Sequence, residues 1–118
     1  MRRALPVLAL ATALLLVPAS AGTGASTLTK TVKIHDNFYD PLKLTVKPGT
    51  TIKWVWPNDV GDTHDVNLGK RPKGVKVFSS DLVATGYTFK RKLIKPGTYK
   101  IYCSLHDDML MTIVVKKH

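Results

Sequence analysis

The stretch Pro96-Gly97-Thr98-Tyr99-Lys100-Ile101-Tyr102-Cys103-Ser104-Leu105-His106-Asp107-Asp108-Met109 decides how the rest of the chain is interpreted. It opens with a Pro-Gly turn. Tyr99, Ile101 and Cys103, the only cysteine of the chain, then alternate with Lys100 and Tyr102. This alternation predicts a β-strand with one buried face. The cysteine therefore ends a strand, and a histidine and a methionine follow it closely.

Cys103 and His106, with Met109 or Met111, have the side-chain chemistry of a metal site. A thiolate, an imidazole and a thioether combine soft sulfur with nitrogen, which suits copper. A blue-copper centre needs two histidines and one cysteine with an axial methionine, so one imidazole is missing from this loop. His64 is the best candidate, because it follows a tryptophan-rich strand and a polar loop. The two other histidines are expected to be solvent-facing residues: His35 and His118.

Strand patterns recur on both sides of this stretch, separated by Pro, Gly and Asn-Asp turns. No segment of the mature chain shows a convincing helical period. The pattern predicts seven or eight short strands, and hence an all-β fold: a two-sheet antiparallel Greek-key sandwich. The predicted strands cover residues 31–34, 42–46, 52–56, 64–68, 75–79 (as an edge strand), 87–93, 99–103 and 111–115.

Length and cysteine count limit the other interpretations. A chain of 118 residues suits one domain. A single cysteine excludes an intramolecular disulfide and every site that needs two thiolates from one chain, including zinc ribbons and dinuclear copper centres.

The first 21 residues have the layout of a secretory signal peptide, with a basic start, an apolar run over 4–17 and a small-residue Ala19-x-Ala21 cleavage site. We expect a flexible tail at 22–28 and a copper-binding domain at 29–118. The protein would then be exported, as a periplasmic, secreted or cell-surface protein. Cleavage would leave 16 Lys and Arg against 8 Asp, a net charge of +8.

That positive charge favours acidic redox partners or an anionic membrane surface. Nucleic acid is not an expected partner of an exported chain, and we expect a monomer.

The sequence resembles the cupredoxin family of plastocyanin, azurin and amicyanin from about residue 36 to residue 116. The resemblance is carried by 38–50, by Ile52-Lys53-Trp54-Val55-Trp56 with His64-Asp65-Val66, and by the Cys103-x-x-His106-x-x-Met109 pattern. It implies an eight-stranded Greek-key sandwich, one type 1 copper, and one-electron transfer between redox partners.

Carried over by position, the resemblance implies that His64, Cys103 and His106 hold the copper. The axial ligand is Met109 in the short-loop register or Met111 in the longer-loop register, and the short loop is favoured. Asp65 stands where many members have Asn, and we expect it to tie the two ligand loops together through a hydrogen bond to Ser104.

Two other functions compete with electron transfer. A copper chaperone or scavenger would use the same ligands without redox cycling, although the chain has no Met-rich or His-rich tract. An enzyme is not expected: a multicopper oxidase needs further histidine pairs, and a Cys-His hydrolase lacks an orienting partner here. A zinc site is disfavoured by the methionine ligand.

Overall fold

The computed structural model describes Ala4, Ala13 and residues 28–59 and 61–117, and these residues form eight strands and no helix. The strands are β1 (Thr29–His35), β2 (Phe38–Asp40), β3 (Lys43–Val46), β4 (Thr50–Trp56), β5 (Asn67–Leu68), β6 (Tyr87–Leu93), β7 (Gly97–Cys103) and β8 (His106–Val115). The all-β prediction is confirmed. Within the same described residues, no helix is long and apolar enough to cross a membrane.

Apart from Ala4, Ala13 and Leu28, the expected signal peptide (1–21) and flexible tail (22–28) lie outside the described residues. Both therefore remain predictions.

Two four-stranded sheets form the sandwich, in the orders β2-β1-β4-β6 and β3-β8-β7-β5. The expectation of purely antiparallel sheets is wrong, because β1 pairs with β4 and β3 pairs with β8 in parallel. The cause is the path of the chain. After β2 the chain crosses to the second sheet to form β3, and it returns to the first sheet as β4, in the direction of β1.

Alternating side chains build the core between the sheets. In β4 the inward residues Ile52, Trp54 and Trp56 are buried, while the residues between them are half-exposed. In β7 the inward residues end with Ile101 and Cys103. Truncating a buried tryptophan costs about 3–5 kcal/mol, so the two indoles of β4 stabilise the sandwich strongly.

The segment between β5 and β6 differs from its prediction. Residues 75–79 form no strand, and the segment pairs with the sheet only through isolated bridges, Asn67 with Ser79 and His64 with Val83. Gly74 has a positive φ of 86°, and Val77 is 60% exposed, so the alternation needed for an edge strand is not maintained. The segment instead lies along the side of the sandwich.

Gly97 begins β7 in a conformation that only glycine adopts readily, with φ of 141°. A Cβ at this position would lie 2.6 Å from Cγ of Pro72. The Pro-Gly turn found in the sequence is therefore a requirement of packing as well as of backbone geometry.

Candidate metal centre

Cys103 and His106 flank a two-residue hairpin turn. Cys103 is the last residue of β7, His106 is the first of β8, and the two are paired across the hairpin. The Cys103 Sγ atom lies 3.5 Å from Nδ1 of His106. The Cys-x-x-His spacing is thus the span of a tight turn that brings a thiol and an imidazole together.

His64 is completely buried and is held in place from several sides. Its backbone forms a bridge with Val83, with hydrogen bonds of 2.9 and 3.1 Å. Its carbonyl oxygen also accepts a hydrogen bond of 3.2 Å from the indole Nε1–H of Trp56. The tryptophan-rich strand that precedes His64 in the sequence therefore contacts it directly.

Asp36, in the turn between β1 and β2, positions the His64 ring. Its Oδ1 lies 3.0 Å from Nε2 of His64, and because an ionised carboxylate only accepts, Nε2 carries the proton. The backbone N–H groups of Gly61 and Asp62 also donate to this carboxylate, at 3.0 and 2.9 Å. The hydrogen bond from His64 and those from the two backbone groups lower the pKa of Asp36 to about 2.

The tautomer fixed by Asp36 leaves Nδ1 of His64 with a free lone pair. This atom is buried and has no hydrogen-bond partner in the structure, an arrangement that costs about 1–3 kcal/mol unless another group satisfies it. One donor atom each from His64, Cys103 and His106 lies within 4.8 Å of the others. An unpartnered imidazole nitrogen beside a thiol and a second imidazole fits a copper ion.

Met109 and Met111 are the two methionines of β8. Both side chains are buried, at 0% and 2% exposure, as their alternation in β8 requires. Met111 pairs with Ile101 on β7, and Ile101 is the buried residue that precedes Cys103 on that strand. Met109 lies between that regular pairing and His106, in the part of the hairpin where the register of β7 and β8 shifts.

Asp65 and Ser104 join the two loops that carry the donors. Ser104 donates twice to the Asp65 carboxylate, from its backbone N–H to Oδ1 at 2.7 Å and from its hydroxyl to Oδ2 at 2.6 Å. Burial alone would raise the pKa of Asp65, but the hydrogen bonds from Ser104, together with those from Asn67 and Cys103, outweigh burial and hold that pKa below its usual value. The hydrogen bond expected from the sequence is therefore present, and it is doubled.

Among the described residues, His35 does not join the cluster. His35 ends β1, where its ring stacks on Phe38 at 4.7 Å and its Nε2 lies 3.5 Å from Asp40. His118 lies outside the described residues. Asp36 is the functional residue that the sequence interpretation missed. The sequence around Asp36 indicates only a turn. The contact with His64 could not be predicted from it, because the two residues are 28 positions apart.

Comparisons with known proteins agree with this geometry. The family model described as copper binding proteins of the plastocyanin/azurin family matches residues 26–116. A plastocyanin from Ulva prolifera is 36% identical over 84 residues, which cover 64% of this chain and 84% of the relative. The plastocyanin of Ulva arasakii is 34% identical over the same length.

Solved structures show the same fold. Pseudoazurin from Methylobacterium extorquens superposes with a TM-score of 0.65 at 27% identity, covering 76% of each chain. A copper-containing nitrite reductase from Thermus scotoductus gives a TM-score of 0.64 at 26% identity. That match covers 77% of this chain but only 23% of the reductase.

The sandwich, the clustered thiol and imidazoles, and the match over residues 26–116 lead to one conclusion. The chain belongs to the plastocyanin/azurin family of copper-binding proteins, the cupredoxins, and its cofactor is copper.

Proposed function

We propose that the protein is a one-electron carrier with a single type 1 copper site. The ligands are His64 Nδ1, Cys103 Sγ, one ring nitrogen of His106, and the Met109 thioether. Two observations carry this proposal: Nδ1 of His64 is buried without a hydrogen-bond partner, and one donor atom each of His64, Cys103 and His106 lies within 4.8 Å of the others. Copper in such a donor set alternates between Cu(I) and Cu(II) and thereby accepts or releases one electron.

The chain's contribution is to hold these donors still. His64 is fixed by its bridge to Val83 and by Asp36, and the Asp65–Ser104 pair links its loop to the hairpin. Donors that keep their positions in both oxidation states minimise the rearrangement that accompanies electron transfer. Hydrogen bonds of this kind also orient metal ligands and tune their donor strength.

The electron would enter and leave through His106. Its ring is half-exposed, whereas Cys103 and His64 are buried. Leu105 and Leu110 are 54% and 56% exposed on the same hairpin and would provide an apolar docking rim for a redox partner. Met111 is buried in the core and is not part of this rim.

We further infer that the protein works outside the cytoplasm as a monomer without enzymatic activity of its own. The apolar run at 4–17 with its small-residue cleavage site supports export. The chain matches only a quarter of the length of the nitrite reductase, so that reaction is not transferred to it. The net charge of +8 after cleavage favours acidic partners.

A visible absorption spectrum after addition of Cu(II) tests the electron-carrier proposal. We expect an intense blue thiolate-to-copper band that is lost in Cys103→Ser and in His64→Gln. His35→Gln is the matched control, because this histidine lies outside the cluster, and its variant should keep the band. Reversible one-electron oxidation and reduction of the blue protein would complete the assignment.

Copper binding without the blue band would favour the second candidate, a copper chaperone or scavenger. Absence of copper binding to a folded protein would show that the three donors do not act on one ion.

A further inference from the structure

A basic, apolar groove lies on the side of the sandwich, between the 74–78 segment and residues 91–95. It encloses about 420 Å³ and is mainly apolar. At its rim the aliphatic side chains of Val77 and Ile94 are 60% and 64% exposed. Exposed aliphatic side chains next to a groove of this size are the kind of surface that soluble proteins use to bind a partner.

Cations surround these aliphatic side chains, and none of the residues that line the groove is acidic. Arg91 lies over the Phe89 ring at 4.2 Å, so its guanidinium is held by an aromatic face and not by a carboxylate. Across residues 28–59 and 61–117, no Lys or Arg forms a salt bridge. No carboxylate therefore neutralises the cations of the groove, which are Lys76, Arg91, Lys92 and Lys95. Two of them also donate to backbone carbonyl oxygens, Arg91 to Lys90 and Lys95 to Lys73.

The negative charge of the molecule lies at the other end. Asp36 and Asp65 contact His64 and Ser104, the backbone of Asp62 donates to Asp36, and Asp107 and Asp108 directly follow His106. Tyr99, which lines the groove, lies near the start of β7, and Cys103 ends that strand. At about 3.3 Å per residue, the four steps along the strand from Tyr99 to Cys103 span roughly 13 Å. The molecule thus has a basic side far from the copper ligands and an acidic end around them.

We propose that this groove docks the protein on the surface of a bilayer that contains anionic lipid. The lysines and arginine would meet lipid phosphates, and Val77 and Ile94 would enter the headgroup layer. The combination of unneutralised cations with exposed aliphatic side chains favours a bilayer over a purely acidic protein, which would use the cations alone. The acidic end is repelled from the same surface, so the docked protein presents the metal centre and His106 to the aqueous side.

Sedimentation with vesicles of equal parts phosphatidylglycerol and phosphatidylcholine tests this proposal. All eight strands of the described residues begin at or after Thr29, so a chain starting at Gly22 keeps them and lacks the apolar run at 4–17, which would bind lipid by itself. We expect salt-dependent binding that is absent with pure phosphatidylcholine. Because the groove contains no metal ligand, binding should be equal with and without copper, so this test is independent of the electron-carrier proposal.

Two double variants separate the charges from the aliphatic side chains. Lys76→Glu with Lys92→Glu should weaken binding roughly 30-fold. Val77→Ser with Ile94→Ser should weaken it about tenfold and leave its salt dependence unchanged. The matched control makes the same change of charge away from the groove, in Lys33→Glu with Lys43→Glu, and should weaken binding less than about threefold.

Three results would overturn the proposal. The first is a failure of the protein to sediment with anionic vesicles. The second is an equal loss in the two charge-reversal pairs, which would attribute binding to net charge alone. The third is equally tight binding to soluble dextran sulfate with no loss in the Val77→Ser, Ile94→Ser variant, which would identify an acidic macromolecule as the partner.

Discussion

Asp36 and His64 form a hydrogen bond of 3.0 Å that joins the β1–β2 turn to the buried imidazole of the metal centre. The carboxylate accepts the Nε2 proton and so leaves Nδ1 as the ring nitrogen of His64 with a free lone pair. It also brings a negative charge to the far side of a proposed ligand. A carboxylate in this position strengthens the histidine as a donor and favours the more highly charged state of the metal.

Asp36→Asn should therefore raise the reduction potential of the copper. The amide oxygen of Asn can still accept the Nε2 proton, so the variant removes the charge and keeps the tautomer. We expect a rise on the order of 50–100 mV, measured by redox titration of the blue band. Asp62→Asn is the matched control, because that exposed side chain loses the same charge nearby. Equal shifts in both variants would mean that the contact with His64 has no special effect.

The Asp65–Ser104 pair should stabilise the fold even without metal, because it closes two loops that are 39 positions apart. Ser104→Ala removes one hydrogen bond to a charged group and should lower the free energy of unfolding by about 1–2 kcal/mol. Asp65→Ala removes both bonds and should cost about 3 kcal/mol. Urea denaturation of the copper-free protein measures these losses. The double variant should cost no more than Asp65→Ala alone, and full additivity would contradict the pairing.

Substitution of each methionine in turn should identify the axial ligand. Met109→Leu should change the blue spectrum and raise the reduction potential, since a weak sulfur ligand is lost. Met111→Leu should leave both properties nearly unchanged, because that side chain packs beside Ile101 in the core. Both substitutions conserve volume and should cost less than about 1.5 kcal/mol of stability. The opposite result would assign the longer-loop register.

Tyr39 should make the fold sensitive to alkali. It is fully buried, and its hydroxyl donates to the carbonyl oxygen of Asp65 at 2.7 Å. Burial, with the nearby negative charges of Cys103 and Asp65, raises its pKa. The pKa of Tyr39 is higher in the folded protein than in the unfolded protein. The contribution of Tyr39 to the free energy of unfolding is therefore complete below about pH 10, and above it that contribution declines by about 1.4 kcal/mol per pH unit. Tyr39→Phe should reduce this decline in pH-dependent urea denaturation, and an unchanged slope would contradict the assignment.

The pattern of the sequence was sufficient to predict most of the architecture. Alternation in Ile52–Trp56 and in Tyr99–Cys103 determines which faces of β4 and β7 are buried, because side chains in a strand point to opposite sides in turn. The Pro-Gly turn before β7 and the Cys103-x-x-His106 spacing are also local features. The copper site could be predicted for the same reason, since its soft donors are concentrated in one hairpin.

Only the tertiary structure decided the features that join distant segments. The parallel pairing of β1 with β4 depends on a crossover between the two sheets. The alternation of residues within a strand does not predict such a crossover. The contact of Asp36 with His64 spans 28 positions, and the groove beside Lys76 and Lys92 forms where a loop packs along a strand. Local periodicity encodes which side of a strand is buried. Which loops meet depends on how the two sheets pack, and that is a property of the whole chain.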